Sequence, residues 1–344
     1  MQCHDADDFD HPTALSRLFD PALDSFSLPL LTSAAHLHLQ RSLSNLKYRA
    51  RRRALLETDL PPLDRARLLA ATVPGATSIL LVRTQPKDIA IPDAAITFYV
   101  FHLLGIPVLD NLGYSHAQLM CCGPGCSTIP PKKPITSNHP LLNPNTIPHA
   151  YHHLGCGGDS SRTDRHDAIA AAIADRLRPE GPFRVDLKKN LGSSVNRGIK
   201  VDLLLTAYHR QPTVVAFDIT VSCSFTPSYL SAATHDQLAI FAERASEKMA
   251  KHHAGCAALD RQFIPAVFTT LGGIGPAEFT EFIDEVFRRS AALEIAAGGR
   301  GRLASERKLL FRAAVHAALI RSTYAMLHRR ATPIPLVPIP PPPQ

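Results

Sequence analysis

The sequence predicts a mixed α/β or α+β fold, and three observations carry that prediction. Two apolar segments, 201–208 and 213–221, flank the turn His209-Arg210-Gln211-Pro212 and read as paired strands. They are followed by a helix over about 230–253, a strand over 263–269, and helical periodicity near 276–297 and 304–329. The 344 residues are 45% hydrophobic, enough to bury a core.

Taken in order, residues 1–32 are expected to form a poorly ordered N-terminal segment, acidic and polar from Met1 to His11, and 33–118 a helical linker region. Within it, Leu37, Leu39, Leu43, Leu46 and Leu55 are threaded among Arg41, Lys47, Arg49 and Arg51 to Arg53, the pattern of a basic helix or helix pair over 33–58. Pro61-Pro62 breaks that segment. Pro74-Gly75 marks a turn, and 78–82 reads as a short strand or buried segment. An apolar helix over 94–104 closes at Gly105.

From 119 to 158 the composition turns to Cys, His, Pro, Gly and Asn, which cannot build a core without a ligand. Cys122-x3-Cys126 and His152-x3-Cys156 supply two pairs, each able to aim both side chains at one ion, and the four would close a tetrahedral, structural Zn²⁺ site. Cys121, His139, His149 and His153 are competing ligands. The third region, 159–330, opens with a helix capped by Thr163 or Asp164 whose Ile169, Ile173 and Leu177 share a face. The Pro-rich stretch 331–344 has no capacity for a core.

The strand from Thr213 to Val221 alternates cleanly. Val215, Phe217, Ile219 and Val221 point one way, and Asp218 lies on the other, less apolar side. A hairpin with the preceding strand brings Asp202 beside it, and two carboxylates gathered this way call for a hard divalent cation, Mg²⁺ or Mn²⁺. On the next helix Arg244, Lys248, Lys251 and His252 recur along one face, next to an apolar stripe of Phe241, Ala245 and Met249. A lysine there can orient a water or neutralise charge on a phosphate. The bland alternative is an amphipathic helix packed on a sheet.

These segments in their order resemble the restriction-like endonuclease region of site-specific non-LTR retrotransposon proteins. The likeness rests on the His152-His153-Leu154-Gly155-Cys156 knuckle end followed by Arg165-His166-Asp167. It continues through Val201-Asp202, Asp218-Ile219-Thr220-Val221 and Lys248-Met249-Ala250-Lys251-His252. The resemblance implies a restriction-endonuclease-like, PD-(D/E)xK-type core of helix, mixed sheet and helices. It also implies metal-binding Asp202 and Asp218, a catalytic Lys248 supported by Lys251 and His166, and nucleic-acid contacts at Arg165, Arg244 and His252. Arg165 and His166 are placed at the edge of the site, contacting phosphate or bracing its helix. The chain departs from the pattern at Val201, where relatives carry Pro, at His252, where they carry Tyr, and at Asp186, where they often carry Glu, and its interval from Asp218 to Lys248 is longer than usual.

The expected partner is DNA, or RNA of a parent element, in keeping with a formal charge of +7. No apolar run approaches the roughly 20 residues that span a bilayer, so a membrane partner and a secretory route are not expected. A nuclear or otherwise cytoplasmic location is. Polymerase activity is excluded, because Tyr-x-Asp-Asp is missing and the adjacent pair Asp7-Asp8 lacks a flanking apolar strand. A catalytically inactive nucleic-acid-binding remnant of a retroelement protein is the alternative.

Overall fold

Pro61 and Pro62 do not simply break the chain; they restart it. Pro61 caps helix α1 (Pro62–Ala70) and Pro62 sits in its first turn, where a missing N–H costs nothing. The computed structural model describes residues 53–82, 89–108, 161–191, 199–206, 214–299 and 303–330, with isolated positions Ala50, Leu112 and Leu154. The four candidate zinc ligands Cys122, Cys126, His152 and Cys156, most of the basic helix over 33–58, and the Pro-rich stretch lie outside the described residues.

Residues 78–81 form a 3-10 turn rather than a strand, with Ser78 and Ile79 buried but Leu80 and Leu81 exposed. Helix α2 (Asp93–Leu104) follows and ends on Gly105 at φ 72, the left-handed conformation that a Cβ disfavours. Helix α3 (Ser161–Leu177) buries Ile169, Ile173 and Leu177 completely, the face read from their spacing.

Next comes β1 (Arg184–Asn190), a strand with no clear sequence signal because only Val185 and Leu187 are apolar. It is an edge strand, and its charged residues suit an edge that must not recruit another chain. Strands β2 (Lys200–Thr206) and β3 (Val215–Ser222) form the expected antiparallel pair, with Leu203 opposite Phe217, Leu204 opposite Ala216 and Leu205 opposite Val215.

The single helix expected over 230–253 is two. Helix α4 (Pro227–Ala233) stops at Thr234, and α5 (Gln237–Ala257) starts afresh from Asp236, whose carboxylate accepts from the Leu238 amide. They form the crossover to β4 (Gln262–Thr269), which runs parallel to β3 along its full length. A two-residue strand β5 (Ile274–Gly275) completes a mixed five-stranded sheet in the order β1-β2-β3-β4-β5. Helices α6 (Ala277–Ala296) and α7 (Ala304–Arg330) follow.

Both sheet faces are covered. One packs Leu203, Leu205, Val215, Phe217, Ile219, Ile264, Ala266 and Phe268 against α3, α6 and α7. The other packs Leu204, Ala216, Phe263 and Val267 against α5. This explains the near-continuous apolar composition of β4. Pro265 is tolerated inside it for a reason of direction. Gln262 donates its amide to Val214 of the β3 side, so the amides at alternate positions 263 and 265 point away from β3. On that side β5 pairs only at Val267 and Phe268, so no ladder bond is lost.

The boundary expected at 118 does not divide the packing. Ala66, Ala70, Phe98 and Tyr99 of α1 and α2 share a core with Tyr229 and Ala233 of α4 and with Ala313, Ala317 and Leu327 of α7. Residues from Pro61 onward form one contact unit, separate from Met1–Leu60. Among the described residues, no helix is long and apolar enough to cross a membrane.

Phe217 sits at the centre of the larger core, 1% exposed and edge-on to Phe279 at 5.9 Å and Phe282 at 5.2 Å. Phe217→Ala is expected to cost about 3–5 kcal/mol, measured as a lowered midpoint of denaturant unfolding with the slope unchanged.

Candidate active site

The site forms where β2 and β3 stop pairing. Their register ends at Leu203 opposite Phe217, so the next positions on the two strands are Asp202 and Asp218. The side-chain alternation of β2 breaks at the same point: Val201 packs with Leu204 and Ala216, whereas Leu203 packs with Phe217 on the opposite face. Across from it, β1 pairs through Leu187 and Lys189 but skips Lys188, whose φ of 50 is left-handed for a residue with a Cβ.

Four elements converge on this break. His166, in the second turn of α3, places Nε2 2.9 Å from Asp202 Oδ2 and Nδ1 3.2 Å from Asp167 Oδ1. The Ile219 amide donates to Asp202 Oδ2 at 2.6 Å. Lys188 of β1 holds the far oxygen of Asp167 at 2.5 Å. From α5, Lys248 Nζ lies 2.7 Å and His252 Nε2 3.1 Å from Asp218 Oδ2. Neither is aligned for a hydrogen bond with that oxygen, which is buried.

The two carboxylates titrate apart because their surroundings differ. Burial opposes ionisation of Asp202, but donors from His166, from the Asp218 carboxyl and from the Ile219 amide outweigh it and hold Asp202 below the ordinary carboxylate range. Burial pushes Asp218 up, the Asp202 carboxylate pushes it further, and Lys248 only partly offsets both. Burial alone would lower His166, yet Asp202 and Asp167 more than reverse that and raise it. His252 moves down through burial and the nearby Lys251 and Lys248.

One ligand atom each from His166, Asp202 and Asp218 lies within 4.8 Å of the others, a spacing that one metal ion can bridge. The donor set suits a divalent cation, since a buried carboxylate oxygen without an aligned donor faces a second carboxylate.

Of the residues singled out in the sequence, Asp202, Asp218, Lys248 and His166 come together. Lys251 does not: it is exposed, on the outer face of α5, because the helix turns Lys248 and His252 inward with Ala245 and Cys256. His252 is 5% exposed, against Phe263 and Asp218, so it lines the site rather than meeting nucleic acid. Arg165 is 2% exposed and lies near the Cys223 thiol, a burial that runs against the expected phosphate contact. Arg244 remains at the surface edge, paired with Glu247 at 2.5 Å and stacked over Tyr229 at 4.8 Å.

Two members were not singled out. Asp167 was visible as the residue after His166, but Lys188 lies on the strand that the apolar pattern did not reveal. A comparison of the sequence with protein-family models and with curated proteins yields no match.

The pKa directions fix a sign for stability. Asp218, raised on folding, contributes stability that is complete below the ordinary carboxylate value and lost as pH rises through its elevated value. Asp202, depressed on folding, contributes stability present above the ordinary value and lost as pH falls through its lowered one. In metal-free buffer Asp218→Asn should therefore flatten the fall in Tm from about pH 4 toward neutrality. The steeper fall at the acid end should remain.

Proposed function

We propose that the chain is a metal-dependent endonuclease that hydrolyses DNA phosphodiesters, of the restriction-like kind carried by non-LTR retrotransposon proteins. The observation that carries this reading is the convergence of Asp202, Asp218 and Lys248, from β2, β3 and α5, in one side-chain cluster. A carboxylate pair with a lysine is the set that phosphoryl chemistry needs. The mixed sheet with helices on both faces agrees with the core the resemblance implies. Lys251 on α5 is exposed to solvent, and the net charge of +7 favours a polyanion.

Asp202 and Asp218 would hold Mg²⁺ or Mn²⁺. Such an ion, when bound, polarises a phosphoryl oxygen and lowers the pKa of a bound water. The Ile219 amide and His166 keep Asp202 ionised and oriented. Lys248 offers three donors on a flexible stem to a phosphate oxygen or to the attacking water. A structural Zn²⁺ on Cys122, Cys126, His152 and Cys156 belongs to the same proposal.

The test is nicking of supercoiled plasmid by the full chain with Mg²⁺ or Mn²⁺, beside DNA-binding measurements on the same preparations. Asp218→Ala should abolish nicking, and Lys248→Ala should slow it about 10²–10³-fold, both with DNA binding retained. Absence of nicking by the folded, unsubstituted chain in both metals overturns the enzymatic reading. DNA binding in that case favours a nucleic-acid-binding remnant.

A further inference from the structure

We propose that His166 Nε2 is a third protein ligand of the ion held by Asp202 and Asp218, and that the site therefore selects a first-row ion such as Mn²⁺ over Mg²⁺. The proposal rests on the reading that these two carboxylates bind a metal.

The geometry around His166 is that of a metal-binding imidazole more than of a surface ion pair. Its Nε2 lies among the carboxylate oxygens, inside the 4.8 Å spread of the three ligand atoms. The opposite ring nitrogen, Nδ1, meets Asp167 at 3.2 Å, and Lys188 holds the other oxygen of Asp167. A carboxylate behind the ring holds the proton on Nδ1, so that an ion displacing the proton between Nε2 and Asp202 meets the Nε2 lone pair, the outer-shell arrangement that metal-bound histidines share. In the metal-free chain Nε2 and Asp202 Oδ2, 2.9 Å apart, share a proton. A divalent ion in its place would satisfy both atoms and the buried Asp218 Oδ2, which makes no aligned hydrogen bond.

Lys188 gives independent support. It adopts a left-handed φ of 50 at the point where β1 skips a pairing opposite Asp202, and such backbone strain persists only where surrounding structure enforces it. Here the enforced conformation goes with the ion pair to Asp167, outside the carboxylate pair itself.

Selectivity follows from the donor atoms. Mg²⁺ favours oxygen ligands and keeps much of its water, whereas first-row ions accept imidazole nitrogen beside carboxylate oxygen. Three protein ligands leave coordination positions open for water and a phosphate oxygen.

The experiment is pulsed electron paramagnetic resonance on the full chain with one equivalent of Mn²⁺, read as nitrogen modulation from a coordinated imidazole. Modulation is expected in the unsubstituted chain and in His252→Ala, and its loss in His166→Ala with Mn²⁺ still bound. Asp167→Asn should weaken Mn²⁺ about 10-fold or more while changing Mg²⁺ affinity less. Mn²⁺ bound in an Asp218-dependent way without nitrogen modulation, or modulation lost in His252→Ala instead, overturns the role of His166 and leaves the carboxylate site standing. No Asp218-dependent Mn²⁺ binding overturns both.

Discussion

Everything at the centre of this molecule answers one electrostatic problem: two aspartates stand at neighbouring register positions of a covered sheet. At the end of the β2–β3 ladder, Asp202 and Asp218 share a pocket in which two unscreened negative charges cannot both persist. The chain resolves this asymmetrically. Asp202 takes the fixed donors, the Ile219 amide and His166, and stays ionised. Asp218 takes the burial and keeps its proton to higher pH, with Lys248 near but unaligned. A site left in that state is poised for a divalent cation, which would remove the proton and the repulsion together.

The scaffold explains why the pocket can hold such groups. β3 is the third of five strands and is covered on both faces, so Asp218 is fixed by backbone pairing on one side through parallel β4 and by α5 above it. Its register partner on β4 is Pro265, a residue that cannot rotate its φ. On the opposite face, Phe217 locks β3 to α6 through two aromatic edges. Helix α2 packs on α7 and helix α1 on α4 and α5, so a region read as a linker is part of the support.

What the sequence made legible was what periodicity encodes. The alternation of β3 placed Asp218 opposite Phe217 and Ile219 in face, and the spacing of Ile169, Ile173 and Leu177 defined α3. β1 escaped because an edge strand with two apolar residues carries too little hydrophobic pattern. The α4–α5 break was written in Thr234 and Asp236, capping residues that apolar continuity across 230–253 concealed. The active face of α5 was misjudged because residues three and four apart are all neighbours on a helix. Spacing alone grouped Lys251 and Arg244 with Lys248 and His252, whereas packing against β3 turns only the latter pair inward. The break in side-chain alternation around Asp202 had no local signal in the apolar pattern of β2.

Two of the departures from the pattern that the resemblance implies, Val201 and His252, fall on buried packing positions. Val201 is 2% exposed and fills space with Leu191 and Leu204, a role that an apolar side chain performs as well as a proline ring. His252 stands where the resemblance implies Tyr. It is buried against the Phe263 ring at 5.4 Å with its polar tip toward Asp218. Burial and the adjacent Lys251 and Lys248 depress its pKa, which favours the uncharged ring. Both side chains pack beside the cluster and leave its set of two carboxylates and one lysine unaltered.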